Sequence, residues 1–163
     1  MATTKHVSFI IAFLFTFYTE IFAGSTLNEL LPGTWYVQKM ELMSTRLLTR
    51  QQQRKFTATK RKLEKTNNQI TSGTIIIRVD FKTDSSYNYK MTENHRVFYF
   101  ERGNWRYQDS VMQAFNLTHE TDRSSFNNEK TVTLTPDTWI VEFTVLGNNS
   151  GIKQRIIYKK KSN

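Results

Sequence analysis

Few side chains of this protein could carry out nucleophilic catalysis. The chain has no cysteine, which excludes thiolate nucleophiles and thiolate metal sites. After the apolar N-terminal segment only His95 and His119 remain as histidines. Ser110, His119 and Asp122 could be combined into a triad for acyl transfer, but no nucleophile elbow or other positional motif accompanies them. We therefore predict that the protein is not an enzyme.

Metal binding has one weak candidate. The segment from His119 to Asp122, His-Glu-Thr-Asp, contains three residue types that coordinate metals. It lies in a longer polar stretch, from His119 to Asn128, which is typical of a solvated loop. We predict no metal site and no cofactor.

A third chemically notable group is cationic. The net charge is +9, and the segment from Arg46 to Lys65 holds eight basic residues against the single acid Glu64, a local charge of +7. No Gly or Pro occurs from Ser44 to Ile70, so a helix is predicted over about residues 46–66. At about 100° per residue, Leu48, Gln52, Phe56, Thr59 and Leu63 share one face. The face predicted to be opposite carries Arg46, Arg50, Arg54, Arg61 and Lys65.

Three roles are open for this basic helix. It is a lid or side brace with a solvated face, a docking surface for anionic lipid or lipopolysaccharide, or a binding site for an anionic ligand. No ordered array of aromatic residues that could stack bases lies beside the basic face. We predict that the protein does not bind nucleic acid.

Strands are predicted on both sides of the helix. Residues 35–43 form the first, and from Thr74 onward apolar residues alternate with polar ones, which indicates strands. Val97 to Phe100 reads as a short strand closed by Arg102-Gly103, with another strand beginning near Trp105. Eight or nine strands with regular turn signals favour an antiparallel barrel or sandwich, and a barrel leaves no open edge.

Large aromatic side chains recur on the alternating strands. An eight-stranded barrel can be filled by such side chains, or it can hold one small ligand. Both readings remain open from the sequence. The residues expected to point inward and to contact a ligand are Tyr87, Tyr89, Trp105, Tyr107, Trp139 and Phe143. Phe115 is also expected to point inward.

The N-terminus resembles an export signal. Lys5 precedes an apolar run from Val7 to Tyr18, and the small residues Ala23-Gly24-Ser25 follow. This order is typical of a cleavable signal peptide, and the run is shorter than the roughly 20 residues of a transmembrane helix. We predict a signal peptide over 1–23, cleaved after Ala23 or alternatively after Ser25, one domain over 24–163, and a secreted or periplasmic location.

Two regions carry a resemblance to a known family. Leu31-Pro32-Gly33-Thr34-Trp35 holds a Gly-x-Trp near the mature start, and residues 81–87, 103–105, 134–141 and 158–159 form a later set of short motifs. Across essentially the whole mature chain the sequence resembles the bacterial lipocalin-like domain proteins, of the calycin superfamily, which are common in Bacteroidetes.

The resemblance implies an all-β fold: an antiparallel up-and-down barrel of eight to ten strands, closed at one end, with the basic helix inserted after the first strand. It also implies that Trp35 plugs the closed end and that a basic residue of the last strand packs across it. Arg155 is the best-placed candidate for that residue, with Lys153 behind it.

Two functional hypotheses follow. The first is an exported, monomeric binding protein for a small hydrophobic ligand held in the barrel. The second is an interaction protein whose barrel is a scaffold and whose basic helix docks on an anionic envelope surface or an acidic partner. Ionic strength should separate them, because surface charge interactions are screened by salt while apolar burial is not.

Overall fold

A computed structural model describes residues 27–118, 124–125, 129–147 and 150–161. The predicted signal peptide, 1–23, lies outside the described residues. The elements in chain order are α1 (Leu27–Leu30), β1 (Gly33–Ser44), α2 (Arg50–Thr71), β2 (Ile75–Phe81), β3 (Ser86–Glu93), β4 (Arg96–Gln108), β5 (Val111–Asn116), β6 (Glu129–Leu134), β7 (Thr138–Val145) and β8 (Ile152–Lys160).

The eight strands form one closed barrel in which each pairs antiparallel with its neighbours in sequence, and β8 pairs with β1. The prediction of an all-β up-and-down barrel with one helix after the first strand is confirmed. The observed number of strands, eight, is at the lower end of the predicted range of eight to ten. Closure joins the first and last strands, since β8 pairs with β1 from Trp35 to Ser44.

The barrel has two distinct ends. The closed end carries α1, the start of β1, the turn between β2 and β3, and the last residues of β8. The far end carries the connections 45–49, 94–95 and 146–151. Because neighbouring strands run antiparallel, each strand begins at one end and finishes at the other.

Helix α2 braces the wall where β1 and β2 separate. The two strands pair only from Gly33↔Phe81 to Tyr36↔Arg78, which leaves the later part of β1 without β2. Asn67 fills this gap: its Oδ1 accepts from the Met40 N–H and its Nδ2 donates to the Met40 carbonyl, both at 2.8 Å. A side-chain amide thus takes the place of a strand neighbour.

The helix begins later than predicted. It runs over Arg50–Thr71 rather than about 46–66, because Thr49 forms a capping box with Gln52, in which each side chain bonds the other's backbone N–H. Arg46 is therefore in the preceding loop, not on the helix as predicted. Its Nε donates to the Ser150 carbonyl at 3.2 Å, so it ties two far-end connections together.

Strand β4 is longer than predicted. It is one strand of 13 residues, not two strands separated at Arg102-Gly103. A Cβ at Gly103 would lie 2.8 Å from Cε1 of Tyr87 and closer still to the Phe115 carbonyl. The glycine is therefore required for close approach by a neighbouring side chain and backbone, and it does not mark a turn.

Among the residues that the structure describes, neither helix is both long and apolar enough to cross a membrane.

Candidate functional site

The closed end is sealed by Trp35, whose side chain is fully buried. Its indole Nε1 donates to the Leu31 carbonyl at 2.7 Å. The Lys160 ammonium lies 5.0 Å from the Trp35 ring centroid and donates to the Leu30 carbonyl at 2.8 Å. Gly33, at φ +134°, leaves the space for the Lys160 side chain, since a Cβ there would collide with its Cε.

The predicted partner of Trp35 was wrong. Arg155 faces outward, where its Nη2 lies 2.6 Å from Glu142 Oε1, and Lys153 also bonds Glu142, at 3.3 Å. Strand alternation explains this, because residues 155 and 153 lie on the face opposite to the buried Tyr158 and Ile152. Lys160 shares the inward face with Tyr158 and so reaches the indole.

A layer of aromatic rings fills the lower interior above Trp35. Trp139 stacks on Tyr158 with centroids 4.6 Å apart, and Phe81 packs edge-on against both Trp105 and Trp139 at 5.5 Å. We call these rings, with Tyr87, the aromatic layer. Trp105, Trp139 and Tyr87 point inward as predicted, but each is at most 6% exposed, because they pack on one another.

Above this layer several inward side chains are only partly buried, although Ile152, Glu101 and Glu129 on the inward face are buried. By strand alternation, several inward residues of β1, β3, β4, β7 and β8 lie between the aromatic layer and the far end. We call this region the upper interior. Unlike the aromatic layer, these side chains keep part of their surface accessible, while Met40, Met91 and Ile156 also pack against the buried core. The partly buried inward side chains are Met40, Leu42, Met91, Tyr99, Phe143, Gln154 and Ile156.

Glu101 is a fully buried carboxylate at one side of the upper interior. Tyr87 and Tyr99 donate to it through their hydroxyls, and Ser124 and Ser125 do so at 2.6 and 2.7 Å. The Ser125 backbone N–H adds a further bond at 3.1 Å. Burial raises the pKa of Glu101, but these hydrogen bonds outweigh burial and the pKa lies below its ordinary value. Glu101 thus anchors part of the β5–β6 connection as an ionised group.

Glu129 is a second buried carboxyl, with a different environment. It is 2% exposed, and its Oε2 has no hydrogen-bond partner in the described part of the chain. Burial raises its pKa to about 8. Thr131 lies two residues later on the same inward face of β6, and its hydroxyl accepts a hydrogen bond from the Trp139 indole at 3.1 Å. Since β6 runs from the far end to the closed end, Glu129 lies on the upper side of the aromatic layer.

The remaining predicted aromatics are divided among three places. Tyr89 lies in the upper interior with its ring 6.0 Å from that of Tyr99, and Phe143 is the half-buried inward residue of β7. Tyr107 lines a groove of about 520 Å³ between α1 and β4 at the closed end, and its buried hydroxyl has no partner among the described residues. Phe115 was expected inside but lies outside, 49% exposed, under the Arg106 guanidinium.

The basic face of α2 is open to solvent. Its inner side, including Phe56 and Leu63, is half-buried against the barrel, as predicted. Within the part of the chain that the structure describes, no basic residue of α2 forms an ion pair, since every ion pair there involves a strand or turn residue. The exposed cations of the helix are Arg50, Arg54, Lys55, Lys60, Arg61, Lys62 and Lys65.

Three residues that matter in this arrangement were not identified from the sequence: Glu101, Glu129 and Lys160. A signal for Lys160 exists, because it is two residues beyond Tyr158 on the same strand face. Glu101 and Glu129 carry no such signal, since a charged residue at a strand position normally faces solvent.

Neither the combination of Ser110, His119 and Asp122 nor the segment from His119 to Asp122, both of which the sequence disfavours as sites, can be placed as a whole. His119 and Asp122 lie outside the described residues, and among the described residues no group of three or more His, Asp or Glu side chains could hold a metal ion. Neither a scan against protein-family models nor a search of curated proteins finds a match to this chain.

Proposed function

We propose that this protein is an exported, lipocalin-like binding protein that holds a small hydrophobic ligand in the upper interior of its barrel. The observation that carries the proposal is the difference in burial between the two halves. The closed end is sealed by Trp35 and the aromatic layer, whereas several inward side chains above that layer keep accessible surface. Partly exposed apolar residues inside a closed barrel are the usual lining of a ligand site.

The proposal also includes a family and a location. Gly33 and Trp35 support the resemblance to the bacterial lipocalin-like domain proteins, because they combine with Lys160 to seal one end of the barrel. Export rests on the signal-peptide pattern of residues 1–23. N-terminal sequencing of protein recovered from the culture medium or periplasm should give Gly24 as the first residue, and recovery of uncleaved protein in the cytosol would overturn export.

Ligand binding is tested with the neutral dye Nile red and a neutral competitor, decanol. The wild-type protein should enhance the dye's fluorescence, and decanol should reverse the enhancement. Met91→Trp would place a large ring at an inward position of β3, so we expect it to reduce dye binding by about tenfold, the loss of roughly 1.4 kcal/mol. Lys90→Trp adds the same ring at the neighbouring outward position and should leave binding unchanged.

The result that would contradict ligand binding is equally specific. If the wild-type protein binds neither dye nor decanol, or if both tryptophan variants bind the dye as the wild type does, the upper interior is not the site. Circular dichroism of both variants serves to show that the barrel remains folded.

A second function is favoured by the basic face of α2. Seven exposed cations without ion pairs lie on one helix, each able to gain about 1 kcal/mol near an anionic membrane. We propose that this face docks the protein on anionic lipid. Co-sedimentation with phosphatidylglycerol vesicles should fall steeply with salt. The triple change Arg50→Glu, Arg54→Glu and Arg61→Glu should abolish it.

The control for docking is a matched change in charge elsewhere. Lys82→Glu, Lys90→Glu and Lys130→Glu reverse three cations of the barrel wall and turns, away from α2, and should leave sedimentation largely intact. Equal loss with both triple variants would mean that total charge, not the helix face, attracts the protein. Nile red binding should persist in both, which separates docking from ligand binding.

A further inference from the structure

The upper interior contains a carboxyl that nothing in the described protein satisfies. Glu129 is 2% exposed and its Oε2 lacks a hydrogen-bond partner among the described residues. Buried polar groups are normally paired, and leaving one unpaired destabilises the folded protein. Glu101 shows the contrast, because several hydroxyl and backbone donors surround it. An unpaired buried carboxyl on the same side of the aromatic layer as the partly accessible Met40, Met91 and Ile156 is a candidate anchor for a ligand.

The surroundings of Glu129 define the chemistry of such a ligand. Met112 is its neighbour on β5. Glu129 interacts electrostatically with the hydroxyls of Tyr89 on β3 and Tyr158 on β8, and Glu101 also acts on Tyr89. The inward strand positions that the structure describes carry no Lys or Arg between the aromatic layer and the rim, where Arg96 is exposed. The upper interior is therefore acidic and tyrosine-rich, with apolar walls.

This electrostatic environment discriminates among amphiphiles. A fatty acid would bring a third carboxyl next to Glu101 and Glu129 with no cation to neutralise it, which is unfavourable in a desolvated site. A primary ammonium has donors and no acceptor, and so complements an unpaired carboxylate with neighbouring hydroxyls. Its alkyl or aryl part would contact the accessible apolar residues Met40, Met91 and Ile156.

We propose that the ligand is a hydrophobic amine whose ammonium group pairs with Glu129 while its apolar part occupies the upper interior. This inference rests on the proposed function, since it assigns a ligand class to the same site. The Lys160 ammonium does not compete, because it is held below Trp35 by the Leu30 carbonyl.

Pairing with the ammonium changes the proton content of the site. Burial raises the pKa of Glu129 to about 8, so near neutral pH the free protein holds this carboxyl mostly protonated. An ammonium stabilises the ionised form, so Glu129 loses its proton to solvent while the ligand keeps its own. The nearby Tyr89 and Tyr158 stay neutral, because burial raises the pKa of both hydroxyls above the ordinary value.

The test compares three ten-carbon competitors that differ only in the head group: decylamine, decanol and decanoate. Each competitor is added below its critical micelle concentration, and its displacement of Nile red from the wild-type protein is measured near pH 7. We expect decylamine to bind about tenfold or more tighter than decanol, as a charge-assisted bond in a desolvated site allows, and decanoate to bind weakest. Glu129→Gln should remove the preference for the amine and retain decanol binding.

The control variant is Glu142→Gln, which removes a carboxylate from the outer side of the wall, where it pairs with Arg155. It should keep the amine preference. A second measurement needs no variant: calorimetry in two buffers of different ionisation enthalpy should show release of close to one proton per decylamine bound and none with decanol.

The outcomes separate this inference from the function on which it rests. Decanol binding without an amine preference, or an amine preference that survives Glu129→Gln, overturns the assignment of the ligand class and leaves the binding protein intact. Decylamine binding without proton release from the wild-type protein also overturns it. Failure of the dye and of all three competitors to bind overturns the proposed function itself.

Discussion

At the scale of residues, the seal of the closed end shows what sequence reasoning could and could not reach. Gly33 and Trp35 were identified from a short motif, but the cation over Trp35 is Lys160 and not Arg155. Strand parity decides between them, since only Lys160 shares the inward face of Tyr158. The alternation of inward and outward residues along β8 can be read from the sequence. The distances around Trp35, and the backbone carbonyl that accepts a hydrogen bond from the Lys160 ammonium, cannot.

Lys160 should therefore matter more for stability than Arg155. Lys160→Met removes a cation–π contact and a bond to the Leu30 carbonyl, and we expect a loss of about 1–2 kcal/mol in the free energy of unfolding. Arg155→Met removes a partly exposed ion pair and should cost less than about 1 kcal/mol. Urea unfolding followed by tryptophan fluorescence measures both. A larger loss for Arg155→Met would contradict the assignment.

The two buried glutamates should respond to pH in opposite directions. For Glu129 the pKa rises from 4.5 to about 8 on folding, so its favourable contribution is complete below pH 4.5 and is lost as pH rises towards 8. For Glu101 the pKa is lowered on folding, so its contribution is present at neutral pH and lost in acid. A difference of one unit between the pKa values of the folded and unfolded protein corresponds to about 1.4 kcal/mol.

Two variants measure these contributions. Relative to the wild type, Glu129→Gln should gain stability between about pH 5 and pH 8, because glutamine cannot ionise. Glu101→Gln should lose about 3 kcal/mol at neutral pH, since several donors lose a charged acceptor, and less in acid. Urea unfolding at each pH gives both values. If the difference in stability between Glu129→Gln and the wild type did not change with pH, Glu129 would have the same pKa in the folded and unfolded protein.

At the scale of elements, composition was sufficient to predict most strands and the existence of α2, but not their exact limits. Gly103 was read as the end of a strand because glycine commonly interrupts strands, whereas here it allows Tyr87 and the Phe115 carbonyl to approach β4. The Thr49–Gln52 capping box could have given the start of α2. The contact of Asn67 with β1 depends on how two distant elements meet, which no local pattern encodes.

That contact makes a prediction for α2. Asn67→Ala would leave the Met40 N–H and carbonyl without their 2.8 Å partners, and we expect a loss of about 2 kcal/mol. Hydrogen exchange at the Met40 amide should accelerate. Asn68→Ala changes the adjacent, exposed residue and should alter neither quantity by much. Unchanged exchange at Met40 in Asn67→Ala would show that water replaces the side chain.

At the scale of the whole molecule, the barrel has a closed end packed with aromatic rings and an opposite end where several inward side chains are only partly buried. Hydrophobic alternation predicted the closed sheet, because every strand must bury one face. It could not predict which inward residues are packed, since Trp105 and Phe143 follow the same pattern but differ in burial. The division depends on ring contacts between strands that are distant in sequence.

The most direct test of ligand binding in the upper interior is a set of intermolecular nuclear Overhauser effects. The protein is labelled at its methionine methyl groups, and decanol is added. We expect contacts from the decanol chain to Met91 and Met40, which face the upper interior, and none to Met43, which lies on the outward face of β1. Contacts confined to Met43, or the absence of contacts at saturating decanol, would contradict a binding site inside the barrel.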